Sequence, residues 1–451
     1  MAPNITLLDY AILPFVLAAI YGIAFRFRNR HYPPGHPYRP YFLTGLTLKI
    51  VGAVFIGMVY EYYYQGGDTM NFFHSTRIIN SAFEDSPIKW INLLLHIPDE
   101  TALGYYKYIS QINLYNDPPS YSVAALAAFL GLPLGTTYLP IAAVFAALSF
   151  TGIWALFRTF ARIYPPLVKP IAVATLFIPS VVVWGSGIFK DTICLLSLGW
   201  LTYGVFQMLI QRNFRAGNLI LTLLGFLLVA RVKIYILVAF VPALLIWVLS
   251  LYTSRMRNAA GRFLVKLFVL SFAVLGSLYI LTSLGEDVLG RYSLDNLEQT
   301  AQVTRDWIQY SSGEEGSAYD LGKINGMPDM FLKLPQAVNV TLFRPYLWES
   351  KKLIILASAL EAFLFLLVTV KVLFESGMRQ CWKIIVSDPT VQFCLIFSVI
   401  FAFAVGISSG NFGALSRYRI PCLPFYGLFL LITYHKSSEK KNYPLLRFIK
   451  I

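Results

Sequence analysis

Apolar runs of about 18 residues or more, the length that crosses a bilayer, recur along this chain from end to end. Hydrocarbon offers no hydrogen-bond partner to a peptide group, so such runs must satisfy their backbone internally, as helices. Of the 451 residues, 57% are hydrophobic and 13% are charged, against about 25% charged in a soluble protein. A soluble chain this apolar could not cover its own surface. The pattern predicts an all-α, polytopic transmembrane helical bundle, a single integral membrane domain over 1–451 with about 11 spans.

The spans expected are about Leu7 to Phe25, Leu46 to Tyr60, 137–157, 168–186 and 192–210. Two more are parted only by Arg231-Val232-Lys233, and the last four are about 265–283, 353–373, 391–408 and 420–434. The net charge of +14 would suggest nucleic acid in a soluble protein, but here it sits in short loops between spans. Arg26, Arg28 and Arg30, Arg158 and Arg162, Arg212 and Arg215, the run Arg255, Arg257, Arg262 and Lys266, and Lys436, Lys440 and Lys441 all fall on one side. Positive-inside bias then puts the N-terminus outside and the C-terminus in the cytosol. No nucleic-acid partner is implied; the surrounding lipids are.

Two long loops fall outside, at 61–120 and 284–350. In the first, Phe72, Phe73, Ile78, Ile79 and Phe83, and later Ile88, Trp90, Ile91 and Leu94, recur at helical spacing and suggest amphipathic helices on the membrane surface. The stretch 121–133 is apolar but short, which suggests an interfacial or re-entrant segment. Cys194, Cys381, Cys394 and Cys422 form no CxxC pair and are expected to behave as small hydrophobes.

Basic residues that fall outside break the rule the rest of the chain obeys, so they are candidate functional groups: Lys190, Arg231, Lys233, Arg344, Arg417 and Arg419. Lys190-Asp191 follows a Gly-Ser-Gly turn and is either an ion pair at a span end or a phosphate contact with its orienting acid. Arg231 and Lys233 either snorkel to headgroups or hold an anion. Arg344, Trp348 and Glu349 lie in Arg344-Pro345-Tyr346-Leu347-Trp348-Glu349, an interfacial aromatic turn whose rings would also suit sugar stacking. Arg417 and Arg419, two apart at a span entrance, could jointly grip a phosphate. Asp68 follows Gly66-Gly67, which lets the backbone turn sharply. It is either a helix cap or a base or metal ligand at the water boundary. His74 is a lone histidine in apolar company, and Lys49 and Glu361 lie within or near spans.

Gly67-Asp68 opening a long outer loop, Gly187-Ile188-Phe189-Lys190-Asp191, the Arg344–Glu349 turn and Arg417-Tyr418-Arg419-Ile420-Pro421 together resemble stretches in the polytopic GT-C glycosyltransferases. These include the protein mannosyltransferases and the enzyme that adds aminoarabinose to lipid A. The resemblance implies a GT-C-like bundle that takes a sugar from a polyprenyl-phosphate donor. It implies Asp68 as the general base that deprotonates a glycan, lipid or protein acceptor. The outer arginines and lysines would neutralise the departing phosphate, in a single inverting displacement needing no nucleotide. Many members carry a second acid beside the first; here that position is Thr69, and a divalent cation is left open. The expected setting is a bacterial inner membrane, with the active site facing the periplasm.

Two other readings compete. An O-antigen polymerase or ligase would grip a lipid pyrophosphate with arginines and use a histidine, and Asp68 would matter little. A lipid-linked saccharide flippase or transporter would carry charges in mid-span and repeat symmetry.

Overall fold

The structure is a computed structural model that describes residues 3–99, 102–253, 261, 264–265, 268, 271, 319–322, 326–350 and 352–437. Most of the expected 265–283 span, the run Arg255 to Lys266, much of the 284–350 loop, and Lys440 and Lys441 lie outside those residues. Among the described residues there is no β-strand, and seven helices are long and apolar enough to cross a membrane. The chain divides into two compact units.

The first unit comprises Met1–Ile163, Val181–Met208 and Phe214–Lys233. It opens with α1 (Leu7–His31) and α2 (Arg39–Met58), the latter running on through a π-helical turn, Val59–Tyr63. Next come α3 (Asp68–Asp85), α4 (Pro87–Leu94), the short α5 (Tyr106–Ile109) and α6 (Pro118–Gly131). At 14 residues α6 spans only ~21 Å. Its small residues Ala124 and Ala128 pack against Ile78 and Ile79 of α3. Of the apolar face of α3, expected to lie on lipid, Phe72, Phe73, Ile78 and Ile79 are therefore buried in protein, while Phe83 stays exposed. Helix α4 does keep Ile88 and Ile91 exposed.

The segment expected as a fourth span is broken. It forms α8 (Val168–Leu176) and α9 (Pro179–Trp184), which follow α7 (Tyr138–Ile163). Pro179 cannot donate to the preceding turn, so the helix restarts there. After α9 comes α10 (Lys190–Val205), extended by a π turn to Ile210. Helices α7 and α10 cross closely because both contact points are glycine. A Cβ on Gly199 would land on the Gly152 carbonyl, and one on Gly152 on that of Leu196.

Helix α11 (Ala216–Thr253) has 38 residues but is interrupted at Lys233 (φ −150°, ψ 75°). A straight helix of that length would measure ~57 Å. Within the second unit, the Tyr252 hydroxyl donates to the Leu209 carbonyl at 2.6 Å. The break falls at the expected turn, Arg231-Val232-Lys233.

The second unit comprises Tyr164–Ser180, Leu209–Asn213 and Ile234–Ile451. Its later elements are α12 (Gly326–Leu332), α13 (Leu334–Phe343), α14 (Leu353–Ser376), α15 (Met378–Ser387), α16 (Pro389–Ser409), α17 (Phe412–Tyr418) and α18 (Leu423–Lys436). The segment expected as the last span is this 14-residue α18, buried from Leu423 to Leu430. Phe240, Phe393, Phe397 and Phe425 interlock edge to face at its heart. All four cysteines are buried free thiols.

Candidate functional site

The first unit holds Asp68, Lys190, Asp191, Arg231 and Lys233. Gln65, Gly66 and Gly67 all have positive φ, so the chain turns abruptly after the π turn of α2. Gly67 (φ 109°) is the N-cap of α3, and a Cβ there would stand 2.7 Å from the Tyr60 ring. Glycine, not Asp68, therefore occupies the cap. Asp68 is the exposed first residue of the helix, where the unpaired N–H groups favour negative charge. A recess of about 450 Å³, lined by Tyr60, Tyr64 and the Gln65–Gly67 backbone, opens just before it. The Tyr60 ring meets Phe189 at 5.6 Å, which places the turn before Lys190 on the far side of the same ring pair.

Lys190 and Asp191 do not pair with each other. Successive helical residues point about 100° apart, and each finds its own partner. The Lys190 ammonium reaches Asp117 at 3.3 Å; Asp191 takes the Lys233 ammonium at 2.5 Å. The first pair is partly exposed. The second is enclosed, Asp191 fully and Lys233 to 7% exposure, so Lys233 neither snorkels nor faces an outside anion. Burial works to raise the Asp117 carboxyl, but the Ser120 hydroxyl and Lys190 hold it below its usual range.

Arg231 behaves differently. Its side chain is exposed, its Nε donates to the Ser122 hydroxyl at 2.9 Å, and no carboxylate pairs with it among the described residues. It edges a groove of about 400 Å³ whose walls are mainly apolar, with Leu94, Leu126 and Phe129 along it and His96 at the same rim. The His96 ring stacks on Tyr121 at 4.2 Å and meets Tyr115 edge-on at 4.5 Å. Burial, with the nearby Arg231 charge, lowers its pKa, so its neutral form prevails near pH 7. Sequence reasoning weighed His74, which sits on an exposed face of α3, and missed His96. Only its position directly after the apolar α4 could have drawn notice.

The second unit holds Arg344, Trp348, Glu349, Arg417 and Arg419. Arg344 pairs with Glu349, its Nε donating to both carboxylate oxygens at 3.1 Å. Its guanidinium also lies 5.1 Å from the Phe412 ring centroid and 5.7 Å from that of Tyr346. Arg417 and Arg419, the pair read as a phosphate grip, both carry buried side chains. Arg417 is buried on α17. Arg419 has no exposed surface and donates to the Thr341, Arg344 and Ser358 carbonyls, the Ser358 hydroxyl and Glu361. It is a structural clasp joining the end of α13, α14 and the approach to α18. Glu361 completes the clasp by accepting from the Ser180 amide at 2.8 Å.

Lys49, within α2, is buried. It does not snorkel: at 2% exposure, its ammonium donates to the Gly185 carbonyl (2.7 Å), the Val181 carbonyl (3.0 Å) and the Ser149 hydroxyl (3.2 Å). It thereby satisfies carbonyls released where α9 ends. Among the described residues no three His, Cys, Asp or Glu side chains converge as a metal ligand set. The chain matches no protein-family model, no curated protein and no solved structure.

Proposed function

We propose that this protein is a membrane glycosyltransferase that moves a sugar from a polyprenyl-phosphate donor to an acceptor hydroxyl on the non-cytoplasmic face. The observation that carries this reading is the groove of the first unit, whose apolar walls end at a guanidinium with no carboxylate partner among the described residues. Leu94, Leu126 and Phe129 suit a prenyl chain. Arg231, helped by the Ser122 hydroxyl, suits the phosphate at its head. In the displacement, the acceptor oxygen attacks the anomeric carbon, and the bond from that carbon to the phosphate oxygen breaks. The phosphate leaves with the bonding electrons, and Arg231 stabilises the charge that develops on it. Asp68, exposed and in the first turn of α3, accepts the proton from the acceptor hydroxyl. Attack opposite the leaving group inverts the anomeric centre.

A second reading is favoured by His96. A neutral imidazole beside a guanidinium suits a polymerase or ligase acting on a lipid-pyrophosphate donor, with His96 as the base. One experiment separates the two. Transfer from radiolabelled polyprenyl-phosphate and polyprenyl-pyrophosphate sugars is measured in membranes containing wild type, Asp68→Asn, His96→Gln or Arg231→Gln. Loss in Asp68→Asn and Arg231→Gln, with His96→Gln active, is the outcome expected. Activity that survives Asp68→Asn but not His96→Gln sinks the first reading in favour of the second.

A further inference from the structure

The geometry points to a saccharide-binding platform in the second unit, formed by the open indole face of Trp348 with the Arg344–Glu349 pair beside it. Trp348 is 80% exposed, yet it is not loose: its ring stacks on Tyr346, with centroids 4.9 Å apart and planes 26° from parallel. Tyr346 is itself held at both ends. Its hydroxyl takes a hydrogen bond from Asn339 at 3.1 Å, and its backbone N–H donates to Glu349 at 2.7 Å. Glu349 thus fixes the ring beneath Trp348 and the guanidinium of Arg344 at once. The result is a supported flat apolar face next to a rigid acceptor and a rigid donor.

That combination matches the two sides of a pyranose. The C–H face of the ring packs on an aromatic surface, and the hydroxyls at its edge need both donors and acceptors. Charge separates this place from the groove in the first unit. Arg344 is neutralised by Glu349, and the side chains keep 21% and 19% exposure, enough to meet a ligand at the rim. A phosphate would have to displace the carboxylate; a neutral sugar hydroxyl would not. Arg231, with no carboxylate partner among the described residues, has the opposite preference. The inference rests on the transferase reading only for its ligand class, a glycan, and it is tested without any transfer reaction.

The test uses the full chain in lipid nanodiscs and saturation-transfer NMR, with chitotriose and maltotriose as probes. Trp348→Ala changes an exposed side chain, so the fold is expected to hold; Trp348→Phe keeps an aromatic face. Saturation transfer to at least one trisaccharide in wild type, retained in Trp348→Phe and about tenfold weaker in Trp348→Ala, is the expected result. Absence of transfer to both sugars in wild type, or equal transfer in Trp348→Ala, overturns the platform. So does quenching of Trp348 emission (wild type minus Trp348→Phe) by brominated lipids with no response to sugar, which would make the residue a bilayer anchor. Loss of glycosyl transfer in the Asp68 and Arg231 variants leaves this binding readout untouched, so the two proposals fail separately.

Discussion

Asp191 and Lys233 form an ion pair at 2.5 Å inside the first unit, joining the first turn of α10 to the break in α11. Each charge was removed from water at a cost of several kcal/mol, which the attraction of the other offsets. Lys233→Met alone should therefore cost about 3–5 kcal/mol, because it takes the ammonium away from a buried carboxylate. The double variant Asp191→Leu/Lys233→Met should recover most of that loss. Unfolding of all four members of the cycle in mixed micelles measures it. A double variant no more stable than the worse single one would mean that the pair is not coupled.

His96 supplies a pH prediction. Burial, then the Arg231 charge, lowers it from its ordinary value of 6.5. Its ring should titrate below that value by histidine-detected NMR, and Arg231→Gln should move the midpoint upward. The linkage sign follows. A histidine with a depressed folded pKa contributes stability that is full above the unfolded pKa and is lost as pH falls through the folded one. A midpoint that ignores Arg231→Gln would show that the two groups do not share the groove electrostatically.

Asp68 can be separated from its helix. As an exposed first-turn acid it contributes no more than about 1 kcal/mol through the helix dipole. Asp68→Asn keeps the shape of the side chain and should leave the thermal midpoint near that of wild type while transfer falls ~10²-fold or more, as loss of a general base does. Comparing the thermal midpoint of the variant with its transfer rate checks both parts. A drop in activity that matched the drop in folded protein would assign Asp68 to the helix and not to the chemistry.

Legibility in the sequence followed the range of the interactions. The start of α7 and both ends of α10 with its π turn could be read within two residues, because hydrophobic runs and turn glycines are local signals. The sharp turn before Asp68 was also legible, since Gly66-Gly67 can hardly do otherwise. The partners were not. Lys190 and Asp191 find theirs at Asp117 and Lys233, on other elements, and adjacency in the chain suggested the wrong pairing. Periodicity found the apolar face of α3 but could not say that α6, and not lipid, covers it. The pattern Arg-x-Arg looked like a ligand grip. Only the folded chain shows the carbonyls that absorb Arg419.

Lys49 gives the last prediction. It is a buried ammonium resting on carbonyl dipoles, with no carboxylate paired to it among the described residues. Met keeps much of the stem's volume and avoids the cost of burying an ion. In Lys49→Met the Gly185 carbonyl would still accept from the Ser149 hydroxyl at 2.8 Å. The Val181 carbonyl is then the acceptor that loses its donor from Lys49, at about 1–3 kcal/mol. Lys49→Glu is another matter: it sets a carboxylate against two carbonyl oxygens, repulsive if ionised and offering one proton at best if neutral. Lys49→Met should fold with a modestly lower midpoint, and Lys49→Glu should not accumulate as folded protein. Size-exclusion profiles and thermal unfolding in detergent decide this. Equal yields and midpoints for the two variants would show that the pocket does not read charge, and that the lysine is not capping the end of α9.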